Sequence, residues 1–137
     1  MQSMEYALAA VTDRIRTALA GGGPLRIRGG GSKDVYAQPL TGEVLDTTGL
    51  RGVVSYEPSE LVVTVRGGTP LAVLEAELAG QGQCLPFEPP RFAPGGTVGG
   101  MVASGLSGPP RASVGTTTTS VVLLYSGVAI SVTVAGP

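Results

Sequence analysis

The first twenty residues carry the periodic pattern of an amphipathic helix. Leu8, Val11, Ile15 and Leu19 recur three or four positions apart, so they share one face of a helix, and charged residues take other positions. This spacing predicts a helix over residues 4–19. The run GGGP at positions 21–24 ends it, because successive glycines and a proline do not continue a helix.

Short apolar runs after this helix predict strands over residues 25–28, 42–46, 53–56, 61–65 and 83–85. The run LVVTV at 61–65 is apolar almost throughout, which is typical of a strand buried on both faces. A turn is predicted at residues 57–59, where a proline follows a glutamate.

A second helix is predicted to open at Thr69 and Pro70. Threonine is a good N-cap, and proline is favoured at the first helical position. Its apolar face is formed by leucines at 71, 74 and 78, and the glycines at 80 and 82 end it.

The chain beyond this helix is rich in proline and then in very small residues. Four prolines among residues 86–94 exclude regular structure and predict a stiff extended arm. Residues 101–108 predict one or two helical turns whose small side chains let the backbone approach another backbone or a flat ligand. A packing hinge would explain the same composition.

No charged residue occurs in the last part of the chain, from position 112 to 137. Residues 121–125 and 128–134 predict two strands of a hairpin that turns at 126–127. A membrane span is the alternative, but the apolar stretch is short and interrupted by serine, threonine and glycine. We expect the hairpin to pair with a sheet or with another chain, because an exposed apolar edge aggregates.

Composition excludes several classes of function. The chain has 137 residues, enough for one domain with its own core. Its net charge of -1 argues against a nucleic-acid-binding surface, and its low charged content of 14% favours a partner that covers part of the surface. With no histidine and one cysteine, this chain alone lacks the groups for a Ser-His-Asp or Cys-His site, a zinc site or an iron–sulfur cluster.

The same counts indicate a cytoplasmic protein. One cysteine cannot form an intrachain disulfide, there is no asparagine to carry a glycan, and the N-terminus lacks a signal-peptide pattern. Cys84 is predicted to be a small core residue, because no cation adjoins it in sequence.

The strongest chemical signal is the run RGGGSK at positions 28–33, here named the first glycine turn. Glycines tolerate positive φ and close approach, so their N–H groups can converge on an anion, with Arg28, Ser32 and Lys33 at the rim. An ordinary surface turn would explain these six residues equally well. The Walker A pattern fails here, and no strict GxGxxG lies between strand and helix.

Four segments together resemble the FAD-binding domain of the vanillyl-alcohol-oxidase (PCMH) type, and most closely the E subunits of bacterial glycolate oxidases. They read, in order, RGGGSK, EPSELVVTVRGGTPLAVLEAEL, GQCLPFEPP and GGTVGGMVASGLSGPPR. The resemblance covers about residues 5–111. It implies an α+β fold of two lobes, the first about 1–68 and the second about 69–137 with an atypical tail at 112–137, and FAD between them.

The resemblance also implies which residues hold the cofactor. The amides of residues 29–32 would bind the pyrophosphate, and the second glycine turn, residues 95–100, would lie against the cofactor. The implied cofactor-binding residues are Arg28, Gly29, Gly30, Gly31, Ser32, Lys33, Gly96, Thr97, Gly99, Gly100 and Gly105. No catalytic residue and no metal ligand is assigned to this chain.

The implied function is that of an FAD-binding subunit of a multi-subunit 2-hydroxy-acid oxidoreductase that oxidises glycolate to glyoxylate. The implied partners are a second flavoprotein subunit and an iron–sulfur subunit, through which the complex could associate peripherally with a membrane. Two alternatives stay open: a structural subunit that keeps the fold but binds no FAD, and a generic nucleotide- or phosphate-binding module.

This sequence departs from the family pattern in its last part. Threonines near positions 118–119 stand where the family has an Arg-Asp pair, and the substrate-holding cap is absent from the 137 residues. Covalent attachment of FAD through histidine is excluded, because the chain has none. We therefore expect an incomplete active site on this chain alone.

Overall fold

The structure, a computed structural model, describes residues 2–36, 38–109, 121–123 and 129–134. The helices are α1 (Gln2–Gly21), α2 (Leu71–Ala79) and α3 (Val98–Ser104), and a 3-10 turn covers Pro58–Glu60. The strands are β1 (Leu25–Arg28), β2 (Glu43–Asp46), β3 (Val53–Glu57), β4 (Val62–Arg66), β5 (Val121–Leu123) and β6 (Ala129–Thr133).

Two sheets organise these elements. β1 and β2 form a parallel pair, and the first glycine turn begins the crossover between them. The other four strands form an antiparallel sheet in the order β3-β4-β6-β5. The predicted hairpin is confirmed for its described strands and pairs with β4, whereas its turn at 126–127 lies outside the described residues.

β3 and β4, assigned by sequence to the first lobe, share this sheet with β5 and β6; the lobe boundary at 68 stays a prediction.

The main core lies between the four-stranded sheet and the two helices α2 and α3. α2 contributes the three predicted leucines at 71, 74 and 78, all buried, and β4 contributes Val63 and Val65. Burial of each such side chain stabilises the fold by about 1.5–3 kcal/mol. Residues 63–65 are buried in succession, which confirms the prediction for the middle of this strand.

α1 forms where the apolar spacing predicts it, but its apolar face is largely open. Leu8 is 44% exposed, Ile15 40% and Leu19 78%, within the part of the chain that the structure describes. Arg14 ties the helix to β2 by donating to the carbonyl of Val44 and to the Glu43 carboxylate.

The predicted start of the second helix is wrong by one residue. α2 begins at Leu71, with Pro70 as a cap that makes no side-chain hydrogen bond. Thr69 is buried before it, and its hydroxyl accepts from the Gly52 amide at 2.9 Å and donates to the Arg66 carbonyl at 2.6 Å. The threonine therefore fastens the loop between β4 and α2 instead of capping the helix.

Two further predictions are corrected around Cys84. Residues 83–85 do not form a strand, and Cys84 is exposed, whereas its neighbour Gln83 is buried. The Gln83 amide accepts from the Tyr56 hydroxyl and donates to the Pro58 carbonyl at 2.8 Å. A polar side chain with two internal partners therefore takes the inward position that the sequence assigned to the cysteine.

The bounds of β4 and α3 also differ from the prediction. Leu61 precedes β4 and has a left-handed backbone with φ 57°, because it ends the 3-10 turn. α3 spans Val98–Ser104 instead of residues 101–108.

The proline-rich residues 86–94 form neither helix nor strand, as predicted. No helix in the described ranges is both long and apolar enough to cross a membrane.

Candidate functional site

The first glycine turn follows β1 directly and is held by its own backbone. The Thr47 amide donates to the Arg28 carbonyl at 3.0 Å, which closes the end of the parallel pair. Gly31 takes φ 72°, and its carbonyl accepts from the Asp34 amide at 3.2 Å. Among the described residues, no carbonyl accepts from the amides of residues 30–33. Those N–H groups are therefore not paired with backbone carbonyls, which makes them candidate donors to a ligand.

Asp34 pairs with the arginine that begins this turn. Arg28 donates through Nε at 2.9 Å and Nη2 at 2.6 Å to the same carboxylate oxygen. The hydrogen bond from Arg28 lowers the pKa of Asp34, and the carboxylate in turn raises the pKa of Arg28. The charge of Arg28 is thus largely matched within the turn, and its guanidinium lies over Gly31.

The second glycine turn is clamped against the loop between β4 and α2. The Leu71 amide donates to the Gly96 carbonyl at 2.8 Å, and the Val98 amide donates to the Thr69 carbonyl at 2.9 Å. The Gly99 amide donates to the Gly67 carbonyl at 2.7 Å. Thr97 caps α3, because its hydroxyl oxygen accepts from the Gly100 amide at 3.1 Å.

The two glycine turns touch each other through their backbones. A Cβ on Gly30 would lie 1.5 Å from the carbonyl oxygen of Gly95, and a Cβ on Gly29 would lie 2.7 Å from Oγ1 of Thr97. Only glycine fits at such an approach. Lys33 adds a bridge, since its Nζ donates to the Gly100 carbonyl at 3.5 Å. The fold therefore brings together two segments that are far apart in sequence.

Two clefts flank this contact. The first, here named the cationic cleft, has a volume of about 250 Å³ and is lined by the first glycine turn, Thr97, Gly100 and the guanidinium-bearing Arg26. The second, the proline cleft, has about 470 Å³ and lies between the second glycine turn and the proline-rich residues 86–94, here named the proline arm. Ser32, Lys33 and Thr97 line both clefts.

An aromatic contact connects Tyr36, which follows the first glycine turn, with the proline arm. Tyr36 stacks on Phe92 with ring centroids 5.1 Å apart and an angle of 27° between the rings. Phe92 also lines the proline cleft. Stacked rings of this kind contribute about 0.5–1.5 kcal/mol beyond their buried area, so the pair helps to hold the arm beside the first turn.

Most of the predicted cofactor residues meet here, and two do not. Residues 28–33, with Gly96, Thr97 and Gly100, line one or both clefts. Gly99 and Gly105 line neither of these two clefts: the first packs on Gly67, and the second ends α3 with φ 61°. Their direct contact with a cofactor stays a prediction.

Sequence reasoning missed two charged residues of the site. Asp34 adjoins the predicted run, but nothing in the sequence says that its carboxylate would turn back to Arg28. Arg26 is separated from Arg28 by one residue on β1, and side chains two apart on a strand point to the same face. That alternation is the signal that could have identified Arg26.

Comparison with known proteins agrees with this geometry. Residues 8–125 match the model of the FAD binding domain family. Glycolate oxidase subunit GlcE of Escherichia coli (strain K12) is 47% identical over 102 residues, which cover 74% of this chain and 29% of that protein.

Two crystal forms of alkyldihydroxyacetonephosphate synthase share the fold. The first has a TM-score of 0.72 and 19% sequence identity, and the match covers 93% of this chain and 32% of the synthase. The second has a TM-score of 0.65 and 19% identity, and the match covers 82% of this chain and 27% of the synthase. The chain spans about a third of the length of these relatives. By its family match, it belongs to the FAD binding domain family of the PCMH-type fold, and FAD is its cofactor.

Proposed function

We propose that this chain forms the FAD-binding part of a subunit of a multi-subunit 2-hydroxy-acid oxidoreductase, and specifically of a glycolate oxidase that converts glycolate into glyoxylate. The family and the 47% identity to a glycolate oxidase subunit support this assignment. The substrate, the partners and a cytoplasmic location belong to the proposal, because the chain spans 29% of that relative.

The observation that carries the proposal is the backbone contact between the two glycine turns. A pyrophosphate needs several convergent N–H donors, and the amides of residues 30–33 have no backbone acceptor in the described part of the chain. Lys33 adds a positive charge where the two clefts meet. These residues fit a dinucleotide, and we assign its pyrophosphate to residues 29–32.

The second glycine turn has a different role in this proposal. Gly96, Thr97 and Gly100 would line the cofactor site, because all three border a cleft beside the first turn. Gly99 would let α3 approach the loop before α2, since a Cβ there would lie 2.9 Å from the Gly67 carbonyl oxygen. Gly105 would end the helix beside them.

When bound, FAD would supply the two-electron redox chemistry of hydroxy-acid oxidation. This chain would bind the cofactor, orient it in the clefts beside the contact between the two turns and shield one side of it with the proline arm. The electrons would leave through a second flavoprotein subunit and an iron–sulfur subunit.

The test is to purify the chain with its associated subunits and identify the bound cofactor and partners. We expect a yellow complex that contains FAD and whose flavin absorbance bleaches when glycolate is added anaerobically. A colourless complex with stoichiometric partners would instead indicate a structural subunit. Bleaching by another 2-hydroxy acid but not by glycolate would keep the reaction class and refute the substrate.

A further inference from the structure

The cationic cleft is lined by an arginine, Arg26, whose Nε has no hydrogen-bond acceptor in the described chain. Arg26 lies on β1, and its Nε is buried with no hydrogen-bond acceptor. Buried polar atoms in folded proteins nearly always have a partner, so each exception needs an explanation. Because Arg26 lines the same cleft as the first glycine turn, a ligand in that cleft would lie beside a side chain whose hydrogen-bonding capacity the described chain leaves unused.

The other two cations of the cleft are already engaged. Arg28 directs Nε and Nη2 to Asp34, and Lys33 donates to the Gly100 carbonyl. Arg26 forms no ion pair within the described ranges. Of the three, it is the cation that donates no side-chain hydrogen bond in this part of the chain, although the Asp34 carboxylate lies close enough to interact with its charge.

We propose that Arg26 is a direct ligand of a phosphate group of the bound dinucleotide, whereas Arg28 is a structural residue that fastens the first glycine turn to Asp34. The proposal rests on the proposed function, because it takes FAD as the occupant of the cleft. A guanidinium suits this task, since its planar fork presents parallel N–H donors to two oxygens of one phosphate.

Three variants of the full chain test this assignment by equilibrium FAD titration at several salt concentrations, with quenching of flavin fluorescence as the signal. We expect Arg26→Ala to raise the Kd by about tenfold or more and to reduce its dependence on salt, because a charge-assisted contact is lost. Arg26→Lys should fall between this variant and the wild type, because it keeps the charge and loses the fork.

Arg16→Ala is the matched control. It removes the same side chain from the exposed surface of α1, where Arg16 lies 3.9 Å from Asp13 and 76% of its side chain is exposed. We expect its Kd to stay within about twofold of the wild type, because exposed ion pairs contribute little.

The outcomes separate this inference from the proposed function. Failure of the wild type to bind FAD would overturn both. If the wild type binds FAD and Arg26→Ala has the same Kd, only the role of Arg26 is overturned. A higher Kd in Arg26→Ala with unchanged salt dependence would overturn that role as well. If circular dichroism shows that Arg26→Ala is unfolded, Arg26→Lys decides, and a wild-type Kd in that variant would refute the assignment.

Discussion

Gly30 is the residue on which the contact between the glycine turns depends most. We expect Gly30→Ala to lower the free energy of unfolding by about 1–3 kcal/mol, because its Cβ would fall 1.5 Å from the Gly95 oxygen and force the turns apart. Urea unfolding measures the change. Gly23→Ala is the control, since a Cβ there meets nothing within 4 Å. Equal stability of the two variants would refute the contact.

The Arg28–Asp34 pair predicts a pH dependence of stability. Because its hydrogen bond to Arg28 lowers the pKa of Asp34 in the folded state, the pair stabilises the fold above the ordinary pKa of aspartate, about 3.9. This contribution is lost as the pH falls through the lowered pKa. We expect the stability difference between wild type and Asp34→Asn to be present at pH 7 and to shrink in strong acid.

Urea unfolding of both proteins across this pH range measures the difference. High salt should also reduce it, because both side chains are partly exposed. A difference that is independent of pH would show that the Asp34 carboxylate charge does not contribute.

At this scale the sequence predicted backbone geometry better than side-chain partners. The run RGGGSK predicted a tight turn, because the conformational freedom of successive glycines can be inferred from sequence alone. The pairing of Arg28 with Asp34 depends on where the turn brings the chain back. For the same reason, the unpartnered Nε of Arg26 becomes visible only once the burial of each atom is known.

At the scale of elements, α3 and its N-cap fix the second glycine turn. We expect Thr97→Val to destabilise the fold by about 0.5–2 kcal/mol, because the Gly100 amide loses its acceptor, and to weaken FAD binding, because Thr97 borders both clefts. Thr97→Ser keeps the hydroxyl and should stay close to the wild type in both measurements. A Thr97→Val protein that matches Thr97→Ser in stability and in affinity for FAD would show that the hydroxyl does not contribute.

Except for the strand predicted at residues 83–85, element type followed from local patterns, whereas element ends did not. The leucine spacing of α2 predicted its buried face, since that face is a property of the helix alone. The helix begins one residue later than predicted, because the Thr69 hydroxyl bonds to the Gly52 amide and the Arg66 carbonyl, which belong to other segments. In the same way, Gln83 is buried instead of Cys84, because its side chain has two hydrogen-bond partners that lie earlier in the chain.

At the scale of the whole molecule, the site depends on how the two sheets are connected. The first glycine turn leaves the parallel pair β1-β2, and the second lies against the loop that follows β4 of the antiparallel sheet. Pairing of β4 with β6 joins segments distant in sequence, which no local pattern encodes. The resemblance of four ordered motifs supplied this architecture, and the fold match at a TM-score of 0.72 agrees with it.

The central claim is that the two glycine turns together hold FAD, and equilibrium FAD titration of the wild type beside Gly30→Val tests it most directly. We predict saturable binding of one FAD per chain in the wild type, and its loss in a Gly30→Val protein whose circular dichroism shows that it is still folded. Absence of FAD binding by the wild type, or equal affinity in the two proteins, would contradict the account.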